Sequence, residues 1–393
     1  MKKKIAVLGA TGSIGKSSLD IISRDTDNFE VVLLAAKSNR KELDILSKQY
    51  PSAVKVLTDD PNGENNLLCA IENVKADITI NGISGAAGLK PSIAVINSGS
   101  HLALANKETI VMAGKLIMDL AIEKNVNIIP VDSEHSAIFH LLKYFSKEHI
   151  AERKYKTSNS SSLCASAPLR EEIPINSISE IILTASGGPF RNLSLQEMEK
   201  VTVKEALSHP TWNMGPKITI DSASMANKGL EIIEACVLFN KPSNLIKVVV
   251  HPQSIIHSMI RLSNGVIYAQ LSKPDMRHPI HDAIYWPKTT PSALEPISFD
   301  SLTLEFFKPD TEKFPMLNLA WESARLSGLY PCVYNAANEI AVAAFLEQKI
   351  KFTDIPKVTE YVLKSDWSAD SLTLETILNA DKKARKEALS FFN

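Results

Sequence analysis

Ile5-Ala6-Val7-Leu8-Gly9-Ala10-Thr11-Gly12-Ser13-Ile14-Gly15 is the stretch that decides the fold. Its first four residues are apolar and read as a short strand. Glycines at positions 9, 12 and 15 break that strand, and an amphipathic run through Leu19, Ile21 and Ile22 reads as a helix. Strand, glycine turn and helix in this order let the backbone turn tightly and approach a phosphate, whose charge the helix N-terminus favours. The glycine spacing alone is a weak signal, because glycine also simply ends strands. Context strengthens it: the next strand, 30–35, arrives at the distance a βαβ unit requires.

The end of that second strand bears on the choice of dinucleotide. NAD sites normally place an acid there for the ribose 2′-hydroxyl. Ala36-Lys37-Ser38-Asn39-Arg40 has no acid and two cations, which suits the 2′-phosphate of NADP; the competing reading is a solvated helix start. Helix 40–50, strands 53–57, 78–81 and 102–105, a long helix opened by Asn106-Lys107-Glu108 and strand 128–131 continue the alternation. The rhythm predicts an α/β fold with a Rossmann-like, doubly wound parallel sheet. Ligands of such sheets gather at the carboxyl ends of the strands. The glycine turn, Lys37-Ser38, Asn106-Lys107-Glu108 and Asp132-Ser133-Glu134 all fall at that edge.

Composition sets the frame. A chain of 393 residues is expected to form two or three domains, and its 45% apolar content is ordinary for a globular protein. A formal charge of −1 creates no field for nucleic acid or membrane, and no apolar stretch is long enough to span a bilayer. Met1-Lys2-Lys3-Lys4 runs straight into the first strand without the apolar region of a signal peptide. The four cysteines form no CxxC pair, which argues for a reducing compartment and against a zinc site. A cytoplasmic location is expected.

Val131-Asp132-Ser133-Glu134-His135 carries the first chemistry. On an extended chain Asp132 and Glu134 would point to one side. Two acids so placed repel unless a cation or a shared proton lies between them, and the expectation is a divalent metal. Residues 147–170 are charged, then Ser-rich at 157–162, and read as a loop or insertion. Strand 178–185 ends in Ser186-Gly187-Gly188-Pro189-Phe190. Short helical patterns at 195–198 and 203–207 precede the segment 208–217, where two prolines and a glycine bracket His209, Trp212 and Met214. It reads as a lid over a ligand, the alternative being a loop whose Trp212 plugs the core.

A strand at 217–220 is expected to lead into a helix start carrying Ser222, Asn227 and Lys228, a candidate phosphate cradle. Glu231, three residues after Lys228 on the same face, is a candidate third oxygen ligand; simple capping by Ser222 or Ser224 is the equal alternative. Strands 246–251, 254–261 and 266–271 alternate like a half-exposed antiparallel sheet, and His251 and His257 within them read as structural. The Pro-rich 273–315 reads as a linker. Helices are expected at 316–326, 333–346, 355–363 and in a last run ending near 391; 335–339 is polar for a packed helix and faces either the active site or a partner helix.

Taken together the motifs resemble the 1-deoxy-D-xylulose 5-phosphate reductoisomerase family over essentially the whole length. They are Gly9 to Gly15, Ala105-Asn106-Lys107-Glu108, Val131 to His135, Ser186-Gly187-Gly188-Pro189-Phe190-Arg191, His209-Pro210 with Trp212 and Met214-Gly215, Asn227-Lys228-Gly229-Leu230-Glu231, and His251-Pro252-Gln253-Ser254-Ile255-Ile256-His257-Ser258-Met259. The resemblance implies an NADPH-binding domain at 1–132, an α+β catalytic and dimerisation domain at 133–272 with a flap near 208–217, a linker at 273–315 and a C-terminal α-helical bundle at 316–393. It implies that Thr11, Gly12, Ser13 and Ile14 hold the cofactor pyrophosphate. Ala36, Lys37 and Ser38 would face the adenosine end, and Asn106, Glu108 and Gly215 the nicotinamide side. Asp132, Glu134 and Glu231 would be metal ligands. Lys107, Ser133 and Glu134 would meet the reacting end of the substrate, and Ser186, Ser222, Asn227 and Lys228 its phosphate, under a flap carrying His209 and Trp212. His135 reads only as a supporting helix-start residue.

Three carboxylates suit Mg²⁺ or Mn²⁺, with Co²⁺ a further option, rather than zinc. The implied reaction isomerises a sugar phosphate by carbon–carbon cleavage and re-formation. It then reduces the resulting aldehyde with NADPH, in a homodimer with no nucleic-acid or membrane partner. Lys107, Asp132, Glu134 and Glu231 would carry the catalysis. The chain departs from the family pattern at Ala36 and Ser38, where Gly and Asn are usual, and in the long segment 149–174. The rivals are another two-domain semialdehyde or homoserine-type NADP dehydrogenase, which needs no metal triad, and a non-catalytic NADPH sensor.

Overall fold

The computed structural model describes residues 1–144, 177–212 and 214–392; the Ser-rich insertion lies outside them. The opening stretch forms β1 (Lys3–Leu8), a tight turn and α1 (Ser13–Ser23). Gly9 has φ +79°, and a Cβ there would lie 2.7 Å from the Gly82 carbonyl oxygen, while one on Gly15 would lie 2.4 Å from that of Gly9. Both positions therefore require glycine for strand, turn and helix to close up. Gly12 caps α1 without a side-chain bond and no acid occupies the first turn, which leaves the helix terminus suited to an anion.

The alternation continues through β2 (Phe29–Ala36), α2 (Arg40–Gln49), β3 (Val54–Leu57), α3 (Gly63–Val74), β4 (Ile78–Asn81), α4 (Leu89–Asn97), β5 (His101–Leu104), α5 (Lys107–Glu123) and β6 (Ile128–Pro130). Six strands pair in the order β3-β2-β1-β4-β5-β6, all parallel, with the topological switch between β1 and β4. Alternate residues of β1 enter different cores. Ile5 and Val7 pack with Leu19 and Ile22, whereas Ala6 and Leu8 pack with Leu33, Leu89 and Leu104. Burial on both faces is why these strands are continuous apolar runs.

α6 (Ser133–Tyr144) leads toward the second sheet, formed by β7 (Ile178–Ala185), β8 (Ile246–Val250), β9 (Ile256–Leu262) and β10 (Ile267–Leu271) in the order β10-β9-β7-β8. β9 is antiparallel to β7 and β10, but β8 runs parallel to β7, against the antiparallel expectation. A parallel neighbour needs a long crossover, and four helices supply it: α7 (Leu195–Met198), α8 (Val203–Ala206), α9 (Pro216–Ala223) and α10 (Ala226–Leu238).

Two further expectations are corrected. Residues 217–220 are helical, within α9, because Gly215 provides an extended cap and Pro216 occupies the first turn. Ser222 therefore sits in the last turn of α9, not at a helix start. The segment 273–315 is more than a linker: it contains α11 (Arg277–Tyr285), whose Ile280, Ala283 and Ile284 are buried in the core that includes Ile5 and Val7. Lys3 Nζ donates to the Ile284 and Trp286 carbonyls at 3.0 and 2.7 Å, tying β1 to the end of α11. The helical remainder is α12 (Met316–Leu326), α13 (Tyr330–Leu346), α14 (Ile355–Leu363) and α15 (Leu374–Ser390). α13 is buried between α5, α12, α14 and α15, which is why its sequence shows little amphipathic contrast. Among the described residues no helix is long and apolar enough to cross a membrane.

Candidate active site

A cavity of about 560 Å³ opens between the carboxyl edge of the parallel sheet, the Ser186 turn and the α9–α10 pair. Gly12, Ser13 and Ile14 line it together with Asp132, Glu134 and Glu231. The carboxylates converge by a route different from the expected one. β6 ends at Pro130, so Asp132 precedes α6 and Glu134 lies in its first turn, while Glu231 arrives from α10. One oxygen from each lies within 4.8 Å of the others. An all-oxygen donor set of this kind fits a hard divalent cation.

Two ammonium groups are interleaved with these acids. Lys107 Nζ lies 2.6 Å from Asp132 Oδ2, 3.1 Å from Glu231 Oε1 and 2.8 Å from Asn227 Oδ1. Lys228 Nζ lies 2.6 Å from Glu134 Oε1 and also pairs with Glu231. Burial opposes the charge on Lys107, but Asp132 and Glu231 outweigh it and hold the ammonium well above its ordinary range. Burial likewise opposes ionised Asp132, and Lys107 with His135 outweighs it, so that carboxyl lies well below its usual range. Glu231 is raised by burial and by the charge of Glu134. Ser133 donates its hydroxyl to Glu134.

His135 and Glu234 make a second layer behind the triad. Both are fully buried, and neither faces the cavity. His135 Nε2 donates to the Glu231 carbonyl at 3.0 Å, while Nδ1 lies 3.3 Å from Asp132 Oδ1 and 3.2 Å from Glu234 Oε2. Burial disfavours the imidazolium, but Glu234 and Asp132 overcome it and raise the pKa to about 9. A charged ring bonded to the backbone of one ligand candidate and paired with another orients both. Asp132, His135 and Glu234 also satisfy metal-ligand spacing, but their side faces the protein interior.

In the 208–217 segment, His209 Nδ1 accepts the backbone N–H groups of Thr211 and Trp212 at 3.1 and 2.9 Å. The proton must then reside on Nε2, which lies 3.1 Å from both Ser186 Oγ and Ser222 Oγ. Burial lowers the His209 pKa and favours this neutral form. Three residues expected around a phosphate are thus in mutual contact, with Asn227 and Lys228 on the first turn of α10. Trp212 is half-buried and lines the cavity, so it does not plug the core.

The cofactor candidates divide. Glu108 and Gly215 line the cavity with the glycine turn, but Thr11, Ala36, Lys37, Ser38 and Asn106 do not. Thr11 is half-buried in the turn, Ala36 is buried at the end of β2, Lys37 and Ser38 are exposed, and Arg40 pairs with Asp60. The Asn106 side chain is committed to structure: Oδ1 caps α5 through Thr109 N–H at 3.0 Å, and Nδ2 donates to the Ile83 and Gly85 carbonyls at 2.7 and 2.9 Å. His251 is structural as expected, with Nδ1 bonded to the Glu305 carbonyl at 2.9 Å and Nε2 accepting from Ile255 and Ile256 N–H. His257 lines the cavity, with Nε2 2.9 Å from Ser272 Oγ.

Family models described as 1-deoxy-D-xylulose 5-phosphate reductoisomerase match residues 5–62 and 61–114, and models of its C-terminal domains match residues 128–239 and 271–387. The chain belongs to the 1-deoxy-D-xylulose 5-phosphate reductoisomerase family. The reductoisomerase of Treponema denticola is 45% identical over 99% of this chain and 97% of its own. The Zymomonas mobilis reductoisomerase, solved in complex with NADPH, has a TM-score of 0.86 at 40% identity and covers 100% of both chains. A reductoisomerase solved with NADPH, fosmidomycin and magnesium has a TM-score of 0.85 at 35% identity, covering 99% of this chain and 98% of that one. Membership disfavours the homoserine-type dehydrogenase and the sensor. Within this reductoisomerase fold, sequence reading assigned no role to Glu234, Lys217 or Asp221, which lie behind or beside the cavity, and left Asn338, which donates to Asp221 Oδ1, without a partner. Glu234 carried a signal, since it follows Glu231 by three residues on one helix, and Asn338 lies in the polar 335–339 run.

Proposed function

We propose that the chain converts 1-deoxy-D-xylulose 5-phosphate into 2-C-methyl-D-erythritol 4-phosphate, an isomerisation followed by NADPH-dependent reduction, as a step toward isoprenoid precursors. The observation that carries this reading is the convergence of three carboxylates, from the turn before α6, from α6 and from α10, on the cavity that the glycine turn, Ser186 and Ser222 also line. Asp132, Glu134 and Glu231 would hold Mg²⁺, with Mn²⁺ and Co²⁺ as substitutes. Gly12, Ser13, Ile14, Glu108 and Gly215 would hold the dinucleotide, with Thr11 and the 36–38 segment at its far end. When bound, the cation supplies Lewis acidity for the isomerisation and the dinucleotide supplies the reducing equivalents.

The protein's own groups do the rest. Ser186, His209, Ser222, Asn227 and Lys228 take the substrate phosphate and fix its distance from the carboxylates. Lys107, held as an ammonium beside Asp132, stabilises negative charge developing on the reacting oxygens. Ser133 and Glu134 face the same end and can relay a proton between hydroxyl and carboxylate. Trp212 on the 208–217 flap covers the cavity and excludes water.

The chain divides into a cofactor part at 1–132, a catalytic part at 133–272 and a helical part at 316–393, joined by 273–315. It works as a homodimer in the cytoplasm without nucleic-acid or membrane partners. β10 is an edge strand whose Ile267 and Tyr268 are 44% and 38% exposed, an apolar edge that a second copy would cover. The test is NADPH consumption with 1-deoxy-D-xylulose 5-phosphate after chelation and again after Mg²⁺ is restored. Oxidation that is absent, or that ignores the metal, sinks the reading. Glu231→Gln is expected to abolish turnover while NADPH still binds; retained turnover would remove Glu231 from the metal site.

A further inference from the structure

Lys217 stands at the foot of the 208–217 flap, in the first turn of α9, directly after Gly215-Pro216. Its Nζ lies 2.8 Å from Glu108 Oε1 and 2.8 Å from Asp221 Oδ2. Both partners are nearly withdrawn from water, with side chains 8% and 1% exposed. The other oxygens of both acids are also engaged. Glu108 Oε2 accepts from Asn106 Nδ2 at 3.0 Å, and Asn106 holds the Ile83 and Gly85 carbonyls of the loop after β4. Asp221 Oδ1 accepts from Asn338 Nδ2 on α13 at 2.8 Å. The next residue, Glu339, accepts the Ala86 N–H at 3.1 Å. The contacts close a circuit: from the 83–86 loop through Asn106, Glu108, Lys217, Asp221 and α13, back to the same loop.

We propose that Lys217 is a positioning residue that couples the flap to the cofactor site, pinning the flap's root to the nicotinamide-side carboxylate so that dinucleotide and substrate each tighten the other's binding. The inference rests on the reading that 208–217 closes over the substrate and that Glu108 faces the dinucleotide. Only the Gly215-Pro216 step separates Lys217, in the first turn of α9, from Met214. A displacement of the flap's root larger than the lysine stem can take up either carries the ammonium with it or separates it from a buried carboxylate, which is disfavoured without a replacement partner. A ligand that settles Glu108 thereby settles the flap's root, and linkage makes the effect reciprocal.

The test measures NADPH affinity of the full chain by fluorescence, in Mg²⁺, with and without saturating fosmidomycin, which a related reductoisomerase holds together with NADPH and magnesium. In the wild type fosmidomycin is expected to tighten NADPH by about tenfold. Lys217→Met, which keeps the aliphatic stem, is expected to reduce that factor to less than about twofold while each ligand still binds singly, and KM for both substrates rises more than kcat falls. Lys217→Arg is expected to restore most of the coupling. Full coupling in Lys217→Met overturns the proposal. If that variant does not fold, Asp221→Asn replaces it: reduced coupling supports the proposal and wild-type coupling overturns it. A wild type without coupling, together with unchanged NADPH affinity in Glu108→Gln, overturns the underlying reading of flap and Glu108 along with it; normal Glu108 dependence with coupling that survives at Lys217→Met overturns the proposal alone.

Discussion

His209 illustrates how one backbone contact fixes a side chain's chemistry. Two N–H groups of its own loop point at Nδ1, so the imidazole offers a donor toward Ser186 and Ser222. Removing it in His209→Ala is expected to raise KM for the sugar phosphate about 10- to 100-fold, the worth of a hydrogen bond to a charged group, with a smaller effect on the KM for NADPH; steady-state kinetics in both substrates checks this. At this scale much of the site could be read from sequence, but not always for the right reason. Asp132 and Glu134 were expected together because alternate residues share a face of a strand, whereas they meet because a helix starts at Ser133. Lys217 was not legible as a positioning residue. A lysine beside a proline and glycine has no distinguishing pattern, and its partners lie more than a hundred residues back on α5 and four residues on along α9.

Among the elements, α10 carries the heaviest constraint, since it delivers Asn227, Lys228 and Glu231 while packing against α12 and α13. Gly229 makes that packing possible. A Cβ there would lie 2.2 Å from the Tyr334 hydroxyl and 2.9 Å from Ala320 Cβ. Gly229→Ala is therefore expected to destabilise the protein by about 1–3 kcal/mol, as overpacking does, and to raise the Mg²⁺ concentration needed for activity. Urea unfolding and a metal titration check both, and adding Tyr334→Phe is expected to recover part of the loss by removing the clashing oxygen. The α9 segment shows where pattern reading fails. Lys217-Ile218-Thr219-Ile220 alternates like a strand, yet the Gly215-Pro216 start and the packing of Ile220 in the core override that local preference. β1 and α1 were legible because pattern, turn chemistry and packing agree there. The direction of β8 was readable only from the length of its crossover, not from its residues.

Across the whole molecule, one apolar cluster runs from the parallel sheet to the C-terminal helices, and charged groups add further ties. Glu339 on α13 accepts from Ala86 N–H near the cofactor site and pairs with Arg385 of α15 at 2.7 Å, and Arg385 also pairs with Asp381. Arg385→Met leaves Glu339 and Asp381 without their cation. It is expected to lower the melting temperature by about 1–2 °C per kcal/mol lost and to weaken NADPH binding, because the 83–86 loop loses part of its support; calorimetry and nucleotide titration test it. The polar character of 335–339 was visible in sequence, but its target was not, since Ala86 and Arg385 approach it from opposite ends of the chain. That same contact has a consequence for how the protein is made. Ala86 leaves the ribosome long before Arg385 does, by about 15–60 s at about 5–20 residues per second. The six-stranded sheet can assemble in that interval, but the loop at its mouth waits for α13 and α15. A nascent chain is thus expected to carry the six-stranded sheet before the Glu339 and Arg385 contacts that brace the 83–86 loop at its mouth are in place.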